Sequence, residues 1–176
     1  MSDVLIRDAE VHDLAAITEI YNWTIVDNHV SFDTEPYDPD SRRRWWEARA
    51  TELPCLVAEL EGQVVGVTYA SWYRPKLGYR SSVETTIVLR LDARGRRIGT
   101  QLLGQLLNRL ASGGFHRAIA IIALPNDASV GLHRRLGYRE VGVLTEVGTK
   151  MDRKWDTMLL EYDLHARPEA RSAPES

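Results

Sequence analysis

Hydrophobic positions follow two different repeats along this chain, and their alternation predicts a mixed α/β fold. Short β-branched, apolar runs predict strands, and apolar residues spaced three and four apart predict helices. The predicted order is β-α-α-β-β-β-α-β-α-β-β, and a hairpin turn at Glu61 and Gly62 joins the second and third strands. The strands cover residues 4–7, 56–60, 64–71, 83–91, 118–123, 141–147 and 157–162. The helices are one capped by Asp13, one opened by Pro39, one carrying Ile98 to Leu110, and one capped by Asp127 that ends near Gly137.

The stretch over residues 82–113 combines a strand, a basic turn with Gly95 and Gly99, and a leucine-rich helix. The first N–H groups of a helix lack internal partners and carry positive potential, so this turn can bind a phosphate or pyrophosphate. The arginines of the turn add formal charge. The alternative is an ordinary strand-to-helix turn with a solvated basic cluster. The phosphate-loop and dinucleotide glycine patterns are both absent.

Composition narrows the class of protein. With 176 residues, of which 44% are apolar and 27% charged, the chain fits one globular domain, here residues 1–165. A polar, proline-containing tail over residues 166–176 is predicted to be disordered. The net charge of −3 argues against a general nucleic-acid binder. The single cysteine, Cys55, excludes an internal disulfide and a cysteine-based zinc site, and no metal is expected. Neither a signal peptide nor a long apolar run is present, which predicts a cytoplasmic protein.

The basic turn resembles the acyl-CoA loop of the GNAT N-acetyltransferases, Gln/Arg-x-x-Gly-x-Gly/Ala. Residues 94–99 read Arg-Gly-Arg-Arg-Ile-Gly, with Arg97 where the first glycine is usual. The likeness is closest to the phosphinothricin and methionine sulfoximine acetyltransferases and extends over residues 5–164. It implies the GNAT fold, a central mixed sheet flanked by helices, with acetyl-CoA as cosubstrate and a homodimer. Further matches are residues 32–36, 69–79, Glu84, 124–129, 132–138 and 148–155.

Glu84 is the predicted general base. It begins the central strand beside apolar neighbours, so partial burial could raise its pKa toward a useful value. The alternatives are an exposed strand carboxylate or an ion-pair partner of Arg80.

His133 is the predicted general acid, which would protonate the leaving thiolate. It follows Ser129 by four residues, so both side chains lie on one helix face. Many GNAT enzymes carry a tyrosine acid at this motif position, whereas the resembled group has histidine. Tyr138 is the less favoured acid, and an exposed helix histidine is the alternative for His133.

The resemblance also implies the cofactor site. A backbone N–H on the central strand, at Leu89, would stabilise the oxyanion, and Asn126 would bind the pantetheine arm, although turn formation alone could explain an asparagine there. We expect Arg97 to present its backbone N–H to the pyrophosphate. Glycine is usual at this position because it permits a positive φ or a close approach, and neither is required if Arg97 has ordinary helical or bridge angles. The predicted cofactor-binding residues are Ile87, Val88, Leu89, Arg94, Gly95, Arg96, Arg97, Ile98, Gly99, Thr100, Asn126 and Ser129.

On the acceptor side, the resemblance assigns Arg74 to the acceptor's carboxylate, often across a dimer interface, since a guanidinium binds carboxylate bidentately. Lys76 and Tyr79 would assist, and Phe32 would wall the pocket. The implied reaction is acetyl transfer to the α-amino group of a small amino acid, with methionine sulfoximine and sulfone ranked above phosphinothricin. The alternatives are a protein N-terminus or polyamine as acceptor, or a non-catalytic acyl-CoA-binding module.

Overall fold

The computed structural model describes residues 4–165, and the predicted tail lies outside them. The predicted order of strands and helices is confirmed. The strands are β1 (Leu5–Asp8), β2 (Cys55–Leu60), β3 (Gln63–Trp72), β4 (Ser82–Leu89), β5 (Arg117–Ala123), β6 (Arg139–Lys150) and β7 (Arg153–Asp163). The helices are α1 (Leu14–Val26), α2 (Pro39–Glu47), α3 (Ile98–Ser112) and α4 (Asp127–Leu136). Within residues 4–165, no helix is both long and apolar enough to cross a bilayer.

One mixed sheet organises the chain, with strand order β1-β2-β3-β4-β5-β7-β6. Every neighbouring pair is antiparallel except β4 and β5, which are parallel because α3 crosses over between them. The leucine face of α3 packs on one side of the sheet, together with α4. Helices α1 and α2 cover the other side.

The central strands β4 and β5 separate soon after they pair. Their parallel register covers only Ser82–Glu84 against Arg117–Ile119. Beyond this point β4 remains paired with β3, while β5 remains paired with β7. A wedge therefore opens in the middle of the sheet, and one backbone edge of each strand is left without a neighbouring strand.

The register decides which backbone groups face this wedge. The Arg90 N–H donates to the Val65 carbonyl across the β3–β4 pair at 2.9 Å. Since successive residues of a strand direct their backbone groups to opposite sides, the even-numbered residues of β4 bond to β3. The odd-numbered Ile87 and Leu89 then direct their N–H and carbonyl groups into the wedge.

Asp13 occupies the predicted N-cap position of α1, but its side chain accepts no hydrogen bond from that helix. The carboxylate instead accepts the Glu10 N–H at 2.8 Å and binds the Arg7 guanidinium of β1 at 2.7 and 2.8 Å, which closes the short turn before α1. The predicted opening of α2 is confirmed, because Pro39 occupies its first turn. The ion pair between Arg7 and Asp13 ties strand β1 to the start of α1.

Arg42 is an unexpected component of the packing between α1 and α2. Its side chain is 1% exposed. The guanidinium carbon lies 3.9 Å from the ring centroid of Tyr37, 4.8 Å from that of Trp45 and 5.0 Å from that of Tyr21. Burial lowers its pKa, and no carboxylate among residues 4–165 forms an ion pair with it. The aromatic faces therefore stabilise this cation in place of a counter-ion.

Candidate active site

A cavity of about 1050 Å³ occupies the wedge and extends from the end of α1 to the start of α3 and α4. Most of the predicted site residues border this one space. They are Phe32, Glu84, Ile87, Val88, Leu89, Arg94, Gly95, Arg97, Ile98, Gly99, Thr100, Asn126, Ser129 and His133. The cavity is not bordered by Arg74, Lys76, Tyr79, Arg96 or Tyr138.

The basic turn before α3 has the backbone shape of an anion site. Gly95 has φ of +76°, and Arg97 has φ of +61° with ψ of 7°. Arg97 therefore does not have ordinary helical or bridge angles, and it occupies the left-handed region that favours glycine. Left-handed residues next to a helix N-terminus direct successive N–H groups into one concavity, which suits a phosphate.

Gly99 allows the first turn of α3 to approach the wedge closely. A Cβ at this position would lie 3.1 Å from Leu89 Cδ1 and 3.3 Å from Leu132 Cδ2. The helix N-terminus therefore sits directly against the end of β4, which brings its free N–H groups to the mouth of the wedge.

Glu84 lies on the part of β4 that still pairs with β5, at the inner end of the cavity. Burial raises the pKa of its carboxyl above the usual value, and the charge of Arg74 partly offsets this rise. Arg80, the alternative partner considered from the sequence, stacks its guanidinium 4.1 Å from the Trp72 ring centroid. Among the described residues none forms an ion pair with Glu84, so its carboxylate is open to a substrate or water.

His133 is 2% exposed and is held by its own helix. Its Nδ1 lies 2.8 Å from the Ser129 carbonyl, which can only accept, so Nδ1 carries the proton. Nε2 has no partner among residues 4–165. Burial lowers the pKa of the ring, so the neutral form predominates near neutral pH. In this tautomer Nε2 carries a lone pair, and it can donate a proton only after accepting one.

Tyr138 belongs to the core. It is 4% exposed, its hydroxyl lies 2.8 Å from Thr85 Oγ1, and its ring packs edge-on against His133. The Thr85 hydroxyl in turn lies 3.3 Å from the Ile119 carbonyl, so Tyr138 is fixed at the shared part of β4 and β5. Tyr138 is therefore a core aromatic that does not border the cavity.

Asn126 begins α4 and replaces Asp127 as the cap, which corrects the prediction. Its Oδ1 accepts the Ser129 N–H at 3.2 Å. This contact fixes the side chain at the edge of the cavity, while the Nδ2 group has no partner among residues 4–165. Turn formation and ligand binding are therefore compatible at this asparagine.

The 72–80 loop, predicted to bind the acceptor, is exposed beside the cavity. Arg74 lies over the Tyr73 ring at 5.1 Å, and Tyr79 packs edge-on against the same ring with centroids 5.9 Å apart. The charge of Arg74 nevertheless acts on Glu84 of the same chain. Lys76 is exposed and does not border the cavity.

Lys150 was missed by the sequence reasoning. It is 7% exposed, and its Nζ donates to the Thr24 carbonyl at 3.2 Å and the Ser31 carbonyl at 2.6 Å. Both acceptors belong to residues that border the cavity. The partners lie more than a hundred positions away in the sequence, so no local pattern could have indicated them.

Comparison with known sequences decides the family. The pattern of the acetyltransferase (GNAT) family matches residues 17–138, more than half of the chain. The chain is a member of the GNAT family.

Relatives of this GNAT chain match along nearly their whole length. A Streptomyces coelicolor phosphinothricin N-acetyltransferase is 39% identical over 167 residues, 93% of this chain and 98% of the relative. An L-methionine sulfoximine/L-methionine sulfone acetyltransferase of Pseudomonas paraeruginosa is 40% identical over 172 residues, 96% of this chain and 98% of the relative. A phosphinothricin acetyltransferase of Sinorhizobium meliloti, solved in complex with acetyl-CoA, superposes with a TM-score of 0.88 at 33% identity, covering 93% of this chain and 89% of that one.

The GNAT chain is therefore an N-acetyltransferase, and acetyl-CoA is the acetyl donor of its family. The residues present fit this donor. The left-handed turn at Gly95 and Arg97 has the shape that suits a pyrophosphate, and the edge of β4 beyond Glu84 has no neighbouring strand, so an amide-containing arm could bond there. The expected GNAT fold, donor and enzyme class are confirmed.

Proposed function

We propose that this enzyme acetylates the α-amino group of a small amino acid, with methionine sulfoximine, methionine sulfone and phosphinothricin as candidate acceptors. The observation that carries the proposal is the position of Glu84. Its half-buried carboxylate borders the cavity that also contains the basic turn, and it has no competing ion-pair partner among the described residues. The names of the relatives support this class of acceptor.

The donor would be held by groups distributed along the wedge. The N–H groups of the turn and of the start of α3 would bind the pyrophosphate, assisted by the charge of Arg94. The backbone of Ile87 and Leu89 and the Asn126 amide would hold the pantetheine arm, and the Leu89 N–H would stabilise charge on the carbonyl oxygen. When bound, acetyl-CoA supplies the acetyl thioester and the leaving thiolate.

Two proton acceptors then perform different tasks. Glu84 removes the proton that keeps the acceptor's ammonium group from attacking, directly or through water. The amine loses a second proton as the amide forms, and we assign this proton to Nε2 of His133. The ring then transfers it to the sulfur. This role modifies the predicted one, because the His133 tautomer requires the ring to accept a proton before it donates.

Arg74 is proposed to bind the acceptor's carboxylate. Its charge acts on Glu84, so a carboxylate near the guanidinium would place the α-amino group on the side of the base. Phosphinothricin adds an anionic phosphinate, so it needs one more positive charge at the site than the sulfone does. We therefore rank the sulfoximine and sulfone above phosphinothricin.

We also propose a homodimer. The 72–80 loop is exposed beside the site, and β6 leaves Val141, Val143, Leu144 and Val147 about half exposed. A second copy would cover such apolar surface. Sedimentation at assay concentration should give twice the chain mass, and a fully active monomer would refute the dimer. The cytoplasmic location remains a prediction.

A thiol-release assay tests the acceptor class. The panel contains methionine sulfoximine, methionine sulfone, phosphinothricin, a peptide with a free N-terminus and spermidine. We expect the highest kcat/KM for the sulfoximine or the sulfone. A higher value for the peptide or for spermidine would refute the amino-acid assignment and leave the acetyltransferase assignment intact. Release without any acceptor would measure hydrolysis and serves as the control.

A further inference from the structure

The 28–33 loop follows α1 and forms one wall of the cavity, where every one of its residues borders the space. It has no regular secondary structure. Its position must therefore be fixed by contacts with other parts of the chain. The hairpin of β6 and β7 provides several of those contacts, while Tyr21 of α1 and the Pro125 carbonyl provide others.

Lys150, on the last position of β6, makes the central contact. Its ammonium group bridges the last turn of α1 at the Thr24 carbonyl and the 28–33 loop at the Ser31 carbonyl. The last carbonyls of a helix lack internal partners and carry negative potential, so a cation is favourable there. Asp33 acts on the ammonium electrostatically from the same loop and is itself hydrogen-bonded by the Tyr21 hydroxyl at 2.9 Å.

Gly148, two positions earlier on the same face of β6, makes the second contact. The Phe32 ring lies directly against its backbone, and a Cβ at this glycine would overlap the ring. On β7, the Trp155 ring stacks on His29 with centroids 4.1 Å apart, and the indole N–H donates to the Lys150 carbonyl at 2.9 Å. The hairpin thus holds the loop at both of its ends.

We propose that Lys150 is a positioning residue that sets the acceptor wall, and that the room for the acceptor's side chain depends on its two hydrogen bonds to Thr24 and Ser31. The inference rests on the proposed function for the identity of the acceptor. The charge, burial and fixed partners of the amine make it a structural bridge, since it does not itself border the cavity. Phe32 is the side chain through which it acts on the acceptor.

The test compares four variants in steady-state kinetics with methionine sulfone and acetyl-CoA. Lys150→Met removes the charge at similar volume, Lys150→Arg keeps it, and Gly148→Ala displaces Phe32 without altering any charge. Lys154→Met is the matched control, because Lys154 is an exposed lysine of the same hairpin. Hydrogen exchange of peptides covering residues 28–33 is measured on each protein without acceptor.

We expect Lys150→Met to lower kcat/KM for the acceptor roughly 10- to 100-fold, mainly through KM, because Phe32 no longer bounds the space that binds the acceptor's side chain. The KM for acetyl-CoA should remain that of the control, and Lys150→Arg should recover part of the loss. Exchange in the 28–33 loop should accelerate in Lys150→Met and not in Lys154→Met.

An acceptor KM in Lys150→Met equal to that of Lys154→Met would overturn the proposal. So would an equal rise in the KM of both substrates, which indicates general loosening. If Lys150→Met does not fold, an unchanged acceptor KM in Gly148→Ala overturns it. If the wild type acetylates no amino acid, the proposed function is refuted. Independently of that result, unchanged hydrogen exchange of the 28–33 loop in Lys150→Met would refute the role of Lys150 in holding the loop.

Discussion

Arg97 offers the sharpest test of how the donor-binding turn is built. Its φ of +61° lies where an L-residue other than glycine is strained, and its side chain is exposed. Replacement by glycine should therefore relieve strain in the folded state. The left-handed conformation costs a residue with a Cβ about 1–2 kcal/mol. Glycine adds about 0.5–1 kcal/mol of unfolded-state entropy, which opposes folding.

The difference predicts that Arg97→Gly is more stable than Arg97→Ala by about 0.5–1 kcal/mol. For a chain of this size the gain corresponds to a Tm rise of about 1–4 °C. Both variants lose the same charge, so their difference isolates the backbone. Their common loss of acetyl-CoA affinity measures the charge, and for an exposed arginine we expect less than about fivefold.

Thermal unfolding and calorimetric titration with acetyl-CoA measure the two effects separately. Arg96→Gly is the control, because Arg96 is exposed in the same turn and lacks a positive φ. That substitution should lower Tm. A Tm for Arg97→Gly at or below that of Arg97→Ala would refute the assignment of strain to Arg97. A much tighter affinity in Arg97→Gly alone would instead show that the arginine side chain obstructs the donor.

Three further predictions concern the proton path and the acceptor. Glu84→Gln should lower kcat about 10²–10⁴-fold. Wild-type kcat/KM should rise with pH through the raised pKa of Glu84, and an unchanged profile in the variant would remove this residue from the mechanism. His133→Asn should lower kcat while the KM for acetyl-CoA stays the same; a rise in that KM alone would make His133 a donor-binding residue. Mixing Arg74→Ala with Glu84→Gln should restore about a quarter of the wild-type sites if Arg74 serves the partner's site, by the statistics of mixed dimers, whereas no recovery assigns it to its own chain.

The sequence predicted those parts of the fold that are encoded locally. The β2–β3 hairpin is one example, since the turn at Glu61 and Gly62 has φ of 52° and 77°, as such a turn requires. The strands β6 and β7 are longer than predicted. All residues of β6 from Arg139 to Val147 are exposed, so this part of the strand shows no alternation of buried and exposed positions. Their pairing with each other extends them beyond the apolar run.

Site residues that belong to a sequence motif could be predicted. Residues whose role depends on contacts between distant segments could not. The basic turn and Glu84 were found from the resemblance, and the structure places both at one cavity. The left-handed backbone of Arg97 was not predicted, because an arginine gives no local sign of that conformation. Lys150 was missed because its two carbonyl partners lie in distant segments. Arg42 was missed because its burial also requires the Tyr21 ring of α1, in addition to the nearby rings of Tyr37 and Trp45.

The wedge between β4 and β5 also makes the thermal stability of this protein depend on the concentration of acetyl-CoA. The strand edges that diverge beyond Glu84 and Ile119 leave backbone groups without a neighbouring strand, so a donor bound there would add hydrogen bonds to the sheet. A ligand at about 100 times its Kd stabilises the fold by about 2.7 kcal/mol. At about 2–4 °C per kcal/mol, this corresponds to a Tm rise of about 5–11 °C. A melting curve recorded at graded acetyl-CoA concentrations therefore reads out occupancy, and cells depleted of the donor would hold this enzyme in its most heat-sensitive form.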